Sequence, residues 1–357
     1  MRGDVAEADT MEPDRVVLGI ESSCDETAAA VVDSRRRIRA NVILSQHAQH
    51  SPFRGVVPEL AARSHAERLD LTVQEALRQA ECPWEALDAV AATAGPGLLG
   101  GVLVGTVTAK CIALVHDLPY IAVNHLEAHA LTPRLTDCLE FPYLALLVSG
   151  GHSQFVAVAG VGQHALLGTT RDDAAGEAFD KAARLLGLGF PGGPAIERAA
   201  RDGDPDRFPL PRPLAGQAGA DMSFSGLKTA LVHVVARQGA GPLDDGTRAD
   251  LAASFQKAIV ETLADRLEQA VRAFRRLHAA GTVVVLAGGV AANQALRARL
   301  SGAAADQGMR LIAPPAHLCT DNAAMVAWVG LERLADGTVS ALEEPSRARW
   351  PLAGGSV

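Results

Sequence analysis

Two histidines, His125 and His129, stand four residues apart in Asn124-His125-Leu126-Glu127-Ala128-His129. On a helix, positions i and i+4 differ by about 40° around the axis, so both imidazoles reach one ion. Far downstream, Cys319-Thr320-Asp321-Asn322 offers an aspartate that completes a three-ligand set with open coordination positions. A structural histidine pair on an apolar helix face has the same spacing, so spacing alone leaves both readings open. Glu127 lies two positions from each histidine, about 200° around the helix, and faces away from any ion the pair holds. Zinc proteases place the catalytic Glu beside a histidine, as HExxH or HxxEH. Protease chemistry therefore loses its central residue here.

Two segments have the composition of phosphate cradles, and a third joins them in a wider pattern. Ser149-Gly150-Gly151 and Gly288-Gly289 each follow an apolar run, and missing Cβ atoms let backbone N–H groups approach an anion. Glu21-Ser22-Ser23-Cys24-Asp25-Glu26-Thr27 is a turn rich in hydroxyls and carboxylates. Each alone can be a chain reversal; together they form a nucleotide-binding pattern. Neither GxxxxGK[ST] nor a strand-linked GxGxxG occurs, which disfavours P-loop and Rossmann sites. Asp172 to Lys181 is dense in carboxylates, and a helix over Asp172–Leu186 would place Asp173, Glu177 and Asp180 on one face, as ligand contacts or as a solvated surface. Only Lys110, Lys181, Lys228 and Lys257 are lysine among 33 basic residues, which singles out Lys181 and Lys228, inside motifs, as ammonium groups that arginine cannot replace.

The elements that must position these residues alternate. Val16–Ile20 and Ala28–Val32 read as a hairpin around the acidic turn, and Tyr143–Val148 and Gln154–Val158 as a second around Ser149–Ser153. Two similar hairpins more than a hundred residues apart indicate internal duplication. Helices are expected over Leu60–Ala80, from the Gly95-Pro96-Gly97 turn through Lys110, from His125, over Asp250–Ala280 and from about Asn293. Strands are expected at Ala89–Thr93, Tyr120–Val123 and Thr282–Leu286, a sharp turn at Pro191-Gly192-Gly193-Pro194, and a Pro-rich loop over Asp202–Asp221. Strand–helix alternation makes the class α/β.

With 357 residues, 48% hydrophobic, the chain is long enough for two lobes. Residues 1–14 read as a disordered polar tail. Five scattered cysteines without a CxxC pair fit reduced thiols in the cytoplasm. Ala89–Ala109 is uncharged, but its glycines favour strand–turn–helix over a membrane span. A net charge of −8 does not match a protein that grips nucleic acid unaided, so an RNA substrate requires a locally basic face or helper proteins. The cluster Arg35-Arg36-Arg37-Ile38-Arg39 reads as a solvated hairpin turn.

The motifs at Gly19–Thr27, Gly55–Ala61, Asn124–His129, Leu147–His152, Asp172–Lys181, Pro191–Pro194, Ser223–Thr229, Gly288–Asn293 and Cys319–Asn322 stand in an order that resembles the bacterial tRNA N6-adenosine threonylcarbamoyltransferase family, once labelled O-sialoglycoprotein endopeptidase. The resemblance covers about residues 16 to 335. It implies the actin-like ATPase fold: two lobes with duplicated βββαβα cores and a nucleotide cleft between them. By this resemblance, residues 15–120 form the N-terminal lobe, completed by a C-terminal helix at about 322–340, and 121–321 the C-terminal lobe with the metal and nucleotide site. Members transfer threonylcarbamoyl from threonylcarbamoyl-adenylate to the adenosine 3′ of the anticodon in tRNAs reading ANN codons, releasing AMP.

The resemblance further implies that His125, His129 and Asp321 hold one Fe2+, with Zn2+ as the alternative. Leu147, Val148, Ser149, Gly150, Gly151, Asp180, Gly193 and Asn293 match substrate-binding positions, and Glu197 is an added contact. The ligand is threonylcarbamoyl-adenylate, AMP or ATP, the last with Mg2+. Implied partners are tRNA, an inactive paralogous subunit and a small ATPase subunit, in the cytoplasm and without a membrane. Leu147 stands where archaeal and eukaryotic relatives place Tyr; Ser153 and Ala323 replace a common Thr and Gly, and neither is a ligand. Asp25, by placement and charge, is the candidate for positioning or deprotonating the reacting groups. Competing classes are a small-molecule kinase of the same superfamily, which needs no metal-binding histidine pair, and an ATP-driven interaction protein.

Overall fold

The computed structural model describes residues 14–53, 55–239 and 241–352; apart from Asp14, the expected N-terminal tail lies outside them. Among the described residues ten strands form two five-stranded sheets. The first holds β1 (Val16–Glu21), β2 (Glu26–Asp33), β3 (Ile38–Ser45), β4 (Ala89–Gly95) and β5 (Tyr120–Asn124). The second holds β6 (Tyr143–Val148), β7 (Ser153–Gly160), β8 (Gln163–Thr169), β9 (Val283–Ala287) and β10 (Arg310–Ile312). Their orders are β3-β2-β1-β4-β5 and β8-β7-β6-β9-β10, so the duplication read from two hairpins extends to every strand. In each sheet three strands meander antiparallel and two follow in parallel. The parallel strands require crossover helices, which both halves supply.

The helices are α1 (His47–His50), α2 (Pro58–Gln79), α3 (Leu99–Val115), α4 (His125–Asp137), α5 (Ala175–Leu186), α6 (Gly192–Ala200), α7 (Ser225–Ala236), α8 (Asp245–Leu277), α9 (Gln294–Asp306), α10 (Ala316–Cys319) and α11 (Ala323–Ala335). They make five layers with the sheets. One face of the first sheet packs on α2 and α3, with Leu18, Ile20 and Val90 against Leu69, Val73 and Ala109. One face of the second packs on α5, α6, α8 and α9. The inner faces of both sheets share a third core around α4 and α11, where Val17, Ile121, Tyr143 and Val285 meet Leu131 and Trp328. A helix enclosed on all sides carries little solvated surface, and α4 is buried along almost its whole length.

Several local readings are refined. The carboxylate-dense segment becomes helical at Ala175, not Asp172. Asp172 instead accepts from the Ser223 and Ser225 hydroxyls and the Phe224 and Ser225 N–H groups, which ties it to the start of α7. Pro191–Pro194 is not only a turn: Gly192-Gly193-Pro194 is the first turn of α6, where proline loses no helical hydrogen bond. The helix expected from Asp250 begins at Asp245, capped by the Asp244 side chain. Arg35–Arg37 does lie in the turn between β2 and β3. Ala89–Ala109 is strand and helix, and no helix among the described residues is long and apolar enough to cross a membrane.

Candidate active site

The β5–α4 junction sets the geometry of the histidine pair. Asn124 ends β5 and its carboxamide oxygen accepts the N–H groups of Leu126 and Glu127, which starts α4 at His125. His125 Nε2 lies 3.5 Å and His129 Nε2 3.1 Å from Asp321 Oδ1, and the three ligand atoms all lie within 4.8 Å of one another. Asp321 arrives from the opposite side, immediately before Asn322, which caps α11. Glu127 faces away, as its helical phase requires: its carboxylate takes the Gly162 N–H at 2.7 Å and Arg333 at 2.5 Å.

A residue not singled out beforehand completes the centre. Glu21, fully buried at the end of β1, lies 3.0 Å from His125 Nδ1 and accepts from Thr93 Oγ1 at 2.7 Å and Ser23 N–H at 2.5 Å. Burial works against its charge, but His125 beside it holds the carboxyl below its ordinary value. An ionised Glu21 fixes the proton on Nδ1 and leaves Nε2 as the ligand atom. The signal lay in the acidic turn, but register could not show which carboxylate faced α4. Burial depresses the His125 imidazole, yet Asp321 and Glu21 outweigh it and push it up to about 9. Asp321 is opposed by its own burial, and His125 and His129 hold it well below the usual carboxylate range. Burial, then repulsion by Asp321 and Asp25, pushes Glu26 up to about 10. Two convergent imidazole nitrogens, an aspartate oxygen and crowded carboxylates are the donor set and charge pattern that a divalent transition metal satisfies, so the residues fit one.

This centre opens into a cavity of about 1050 Å³ between the two sheets, lined by Asp25, Ser149, Gly150, Gly151, Asp180, Lys181, Gly193, Glu197, Asn293 and Asp321. Most of the expected residues are thus brought together, though Leu147 and Val148 are buried in the strand and contribute core packing. At Gly150 and Gly151 a Cβ would meet nothing within 4 Å, so the cavity reaches bare backbone. Asp180 accepts the Gly192 N–H at 2.7 Å, and burial raises its carboxyl. Glu197 accepts the Gln294 N–H at 2.8 Å. Asn293 caps α9 through Leu296 N–H and donates to Gln256 Oε1 at 2.7 Å. Lys181 lines the cavity in ion pairs with Asp173 and Glu177, whereas Lys228 is exposed outside it. Asp25 stands 3.3 Å from His47 Nε2. Burial, reinforced by His125 and His129, pushes His152 down to about 4, so it lines the cavity neutral.

The doubled sheet with a cleft between its copies defines the class: a two-lobed, actin-like ATPase fold. Among solved structures, HypF from T. kodakarensis matches with TM-score 0.59 and 14% identity over 91% of this chain, which spans 48% of HypF. Component A of the Acidaminococcus fermentans (R)-2-hydroxyglutaryl-CoA dehydratase matches with TM-score 0.52 and 14% identity, covering 88% of this chain and 96% of that one. At such identities the likeness speaks for the fold alone. The sequence profile of TsaD, described as tRNA N6-adenosine threonylcarbamoyltransferase, matches residues 37–328. Proteins of that name from Rhodospirillum rubrum and Methylorubrum extorquens are 58% and 57% identical over 94% of this chain, covering 94% and 98% of their own lengths. The chain belongs to the tRNA N6-adenosine threonylcarbamoyltransferase family, and it is a tRNA-modifying transferase.

Proposed function

We propose that the chain transfers threonylcarbamoyl from threonylcarbamoyl-adenylate to N6 of the adenosine 3′ of the anticodon in tRNAs reading ANN codons. The observation that carries this reading is one cavity lined both by Asp321, which joins it to His125 and His129, and by the bare Ser149–Gly151 turn. His125, His129 and Asp321 would hold Fe2+, with Zn2+ as the alternative, since both ions take two histidines and one carboxylate. When bound, the ion supplies Lewis acidity toward the carbamoyl or phosphate oxygens.

The chain's own groups do the rest. The N–H groups of Gly150 and Gly151 have no acceptor among the described residues and face the leaving phosphate. Asp180, Gly193, Glu197 and Asn293 hold the nucleoside part of the adenylate, or of AMP or ATP with Mg2+. The N6 amine attacks the carbamoyl carbon, the bond from that carbon to the phosphate oxygen breaks, and AMP leaves with the electron pair. Asp25 takes the amine proton.

Helpers belong to the reading. Leu99, Leu103, Val107, Leu114 and Val115 are exposed along α3, a stripe that an inactive paralogous subunit would cover. A small ATPase subunit completes the cytoplasmic assembly. The test is transfer by chain plus helpers, with unmodified tRNA and threonylcarbamoyl-adenylate, read as modified nucleoside by mass spectrometry. Product that disappears in His125→Ala is expected. Its persistence in an iron-free variant overturns the metal role. No product from the intact set, with ATP phosphoryl transfer to small acceptors, moves the assignment to a kinase.

A further inference from the structure

The chain does not end its structural work at α11. Residues 338–352 cross back over the first sheet as a strap. Ser340 N–H donates to the Tyr120 carbonyl at 2.8 Å, Lys110 Nζ to the Glu344 carbonyl at 2.6 Å, and Thr106 and Ser346 share a hydroxyl bond of 2.6 Å. The strap then joins the end of β4: Arg347 N–H donates to Ala94 at 2.8 Å and Gly97 N–H to Ala348 at 3.2 Å. Asn124, the cap of the metal helix, donates to the Trp350 carbonyl at 3.1 Å. Gly95 makes the seat possible, since its φ is +139° and a Cβ there would stand 2.1 Å from the Arg347 carbonyl oxygen.

This pinned segment brings Ala348, Arg349, Trp350 and Pro351 to the wall of the reaction cavity from the first-sheet side. Arg347 is occupied, paired with Glu344 at 2.6 Å and standing 4.8 Å over the Trp350 ring. Arg349 is exposed and forms no hydrogen bond or ion pair among the described residues. A guanidinium and a half-buried indole, side by side on rigid backbone at a cavity mouth, match the contacts that unpaired nucleotides take: stacking for the base, a cation for the phosphate. With a net charge of −8, the chain lacks a broad attractive field and depends on such short-range contacts.

We propose that this C-terminal strap is an RNA-binding wall of the active site. Arg349 holds a backbone phosphate, and Trp350 stacks a base next to the adenosine that enters the cavity. The proposal rests on tRNA being the acceptor. It assigns recognition to residues beyond the family profile's match, which ends at 328.

The test uses the full chain with its helper proteins, wild type against Arg349→Ala, Arg349→Lys, Trp350→Leu and Trp350→Phe. KM for tRNA should rise about tenfold in Arg349→Ala, with the salt slope of tRNA binding reduced by about 1. Arg349→Lys should recover much of that loss. KM for threonylcarbamoyl-adenylate, iron content and thermal midpoint should stay at wild-type values in Arg349→Ala. Trp350→Phe should bind tRNA better than Trp350→Leu if stacking is the contact. An active wild type whose Arg349→Ala form keeps tRNA KM and salt slope overturns the proposal alone. A rise in KM for the adenylate instead makes Arg349 a donor contact and also overturns it. A wild type that neither binds nor modifies tRNA removes the functional reading beneath it.

Discussion

The two halves repeat one topology but use its first turn in opposite ways. Between β1 and β2 the turn is filled with side chains: Glu21 is locked by Ser23, Thr93 and His125, and Ser22 Oγ donates to the Gly101 carbonyl at 2.9 Å. Between β6 and β7 the equivalent turn offers Gly150 and Gly151, around which a Cβ would meet nothing. The second pair of turns differs as well. Asp33 closes the β2–β3 turn locally, accepting from Arg35 and Arg37 N–H groups and from the Arg37 and Arg39 guanidines. The β7–β8 turn contains Gly162 and borrows its acceptor, Glu127, from α4. Duplication therefore supplied two frames, and side chains fill the turn of one while the other leaves bare backbone on the cavity.

Breaking the backbone half should cost most. Gly288 supports the second turn at φ +95°, and a Cβ there would stand 2.4 Å from the Val148 carbonyl. Gly288→Ala is expected to lose about 3 kcal/mol or more in chemical denaturation. Stability within error of wild type would mean the turn tolerates a side chain at its base. In the side-chain half, if His125, His129 and Asp321 hold a metal as proposed, Glu21→Gln should weaken its binding roughly 10- to 100-fold with the fold retained, read as metal kept after dialysis against a graded chelator. Unchanged affinity would show that His125 needs no carboxylate to orient it.

Gly151→Ala sharpens the contrast, because the same methyl that the base of the turn rejects has space at its tip. Its melting temperature should not move, while KM for the adenylate rises about tenfold, near the ~1.5 kcal/mol of one hydrogen bond to a charged group. The smallest effect concerns Asp33. Burial opposes its charge, but Arg39 and Arg37 hold its carboxyl below the ordinary value. A lowered folded value means its contribution is present above the unfolded carboxylate range and is lost as pH falls through the folded value. The stability gap between wild type and Asp33→Asn should therefore shrink on acidification from pH 7 to pH 3. A constant gap would assign the turn to shape alone.

What the sequence made legible follows the same division. Apolar runs broken by chemically rich turns exposed both hairpins, and helical phase alone turned Glu127 away from the histidines. Periodicity needs length, so the three-residue β10 and the nine-residue α6, disguised by Pro and Gly, escaped it. Asp172 and Asp173 share the composition of the helix they precede, yet Asp172 is committed to the α7 start and Asp173 pairs with Lys181 from outside the helix. Glu21 is one of three acids in a short turn, and only the tertiary fold shows which one meets α4. The strap has no period at all, and its role depends on where β4 and α3 end.

The order in which these parts occur along the chain has a consequence for synthesis. His125 and His129 leave the ribosome almost two hundred residues before Asp321, and the strap that roofs the first-sheet side follows later still. A nascent N-terminal half can pair all five strands of its own sheet, because they lie within residues 16–124. It cannot bring Asp321 to the two histidines or finish the cleft wall. Competence for chemistry thus arrives only with the last part of the chain, and a product terminated before α11 also leaves the inner face of the first sheet without the helix that packs on it.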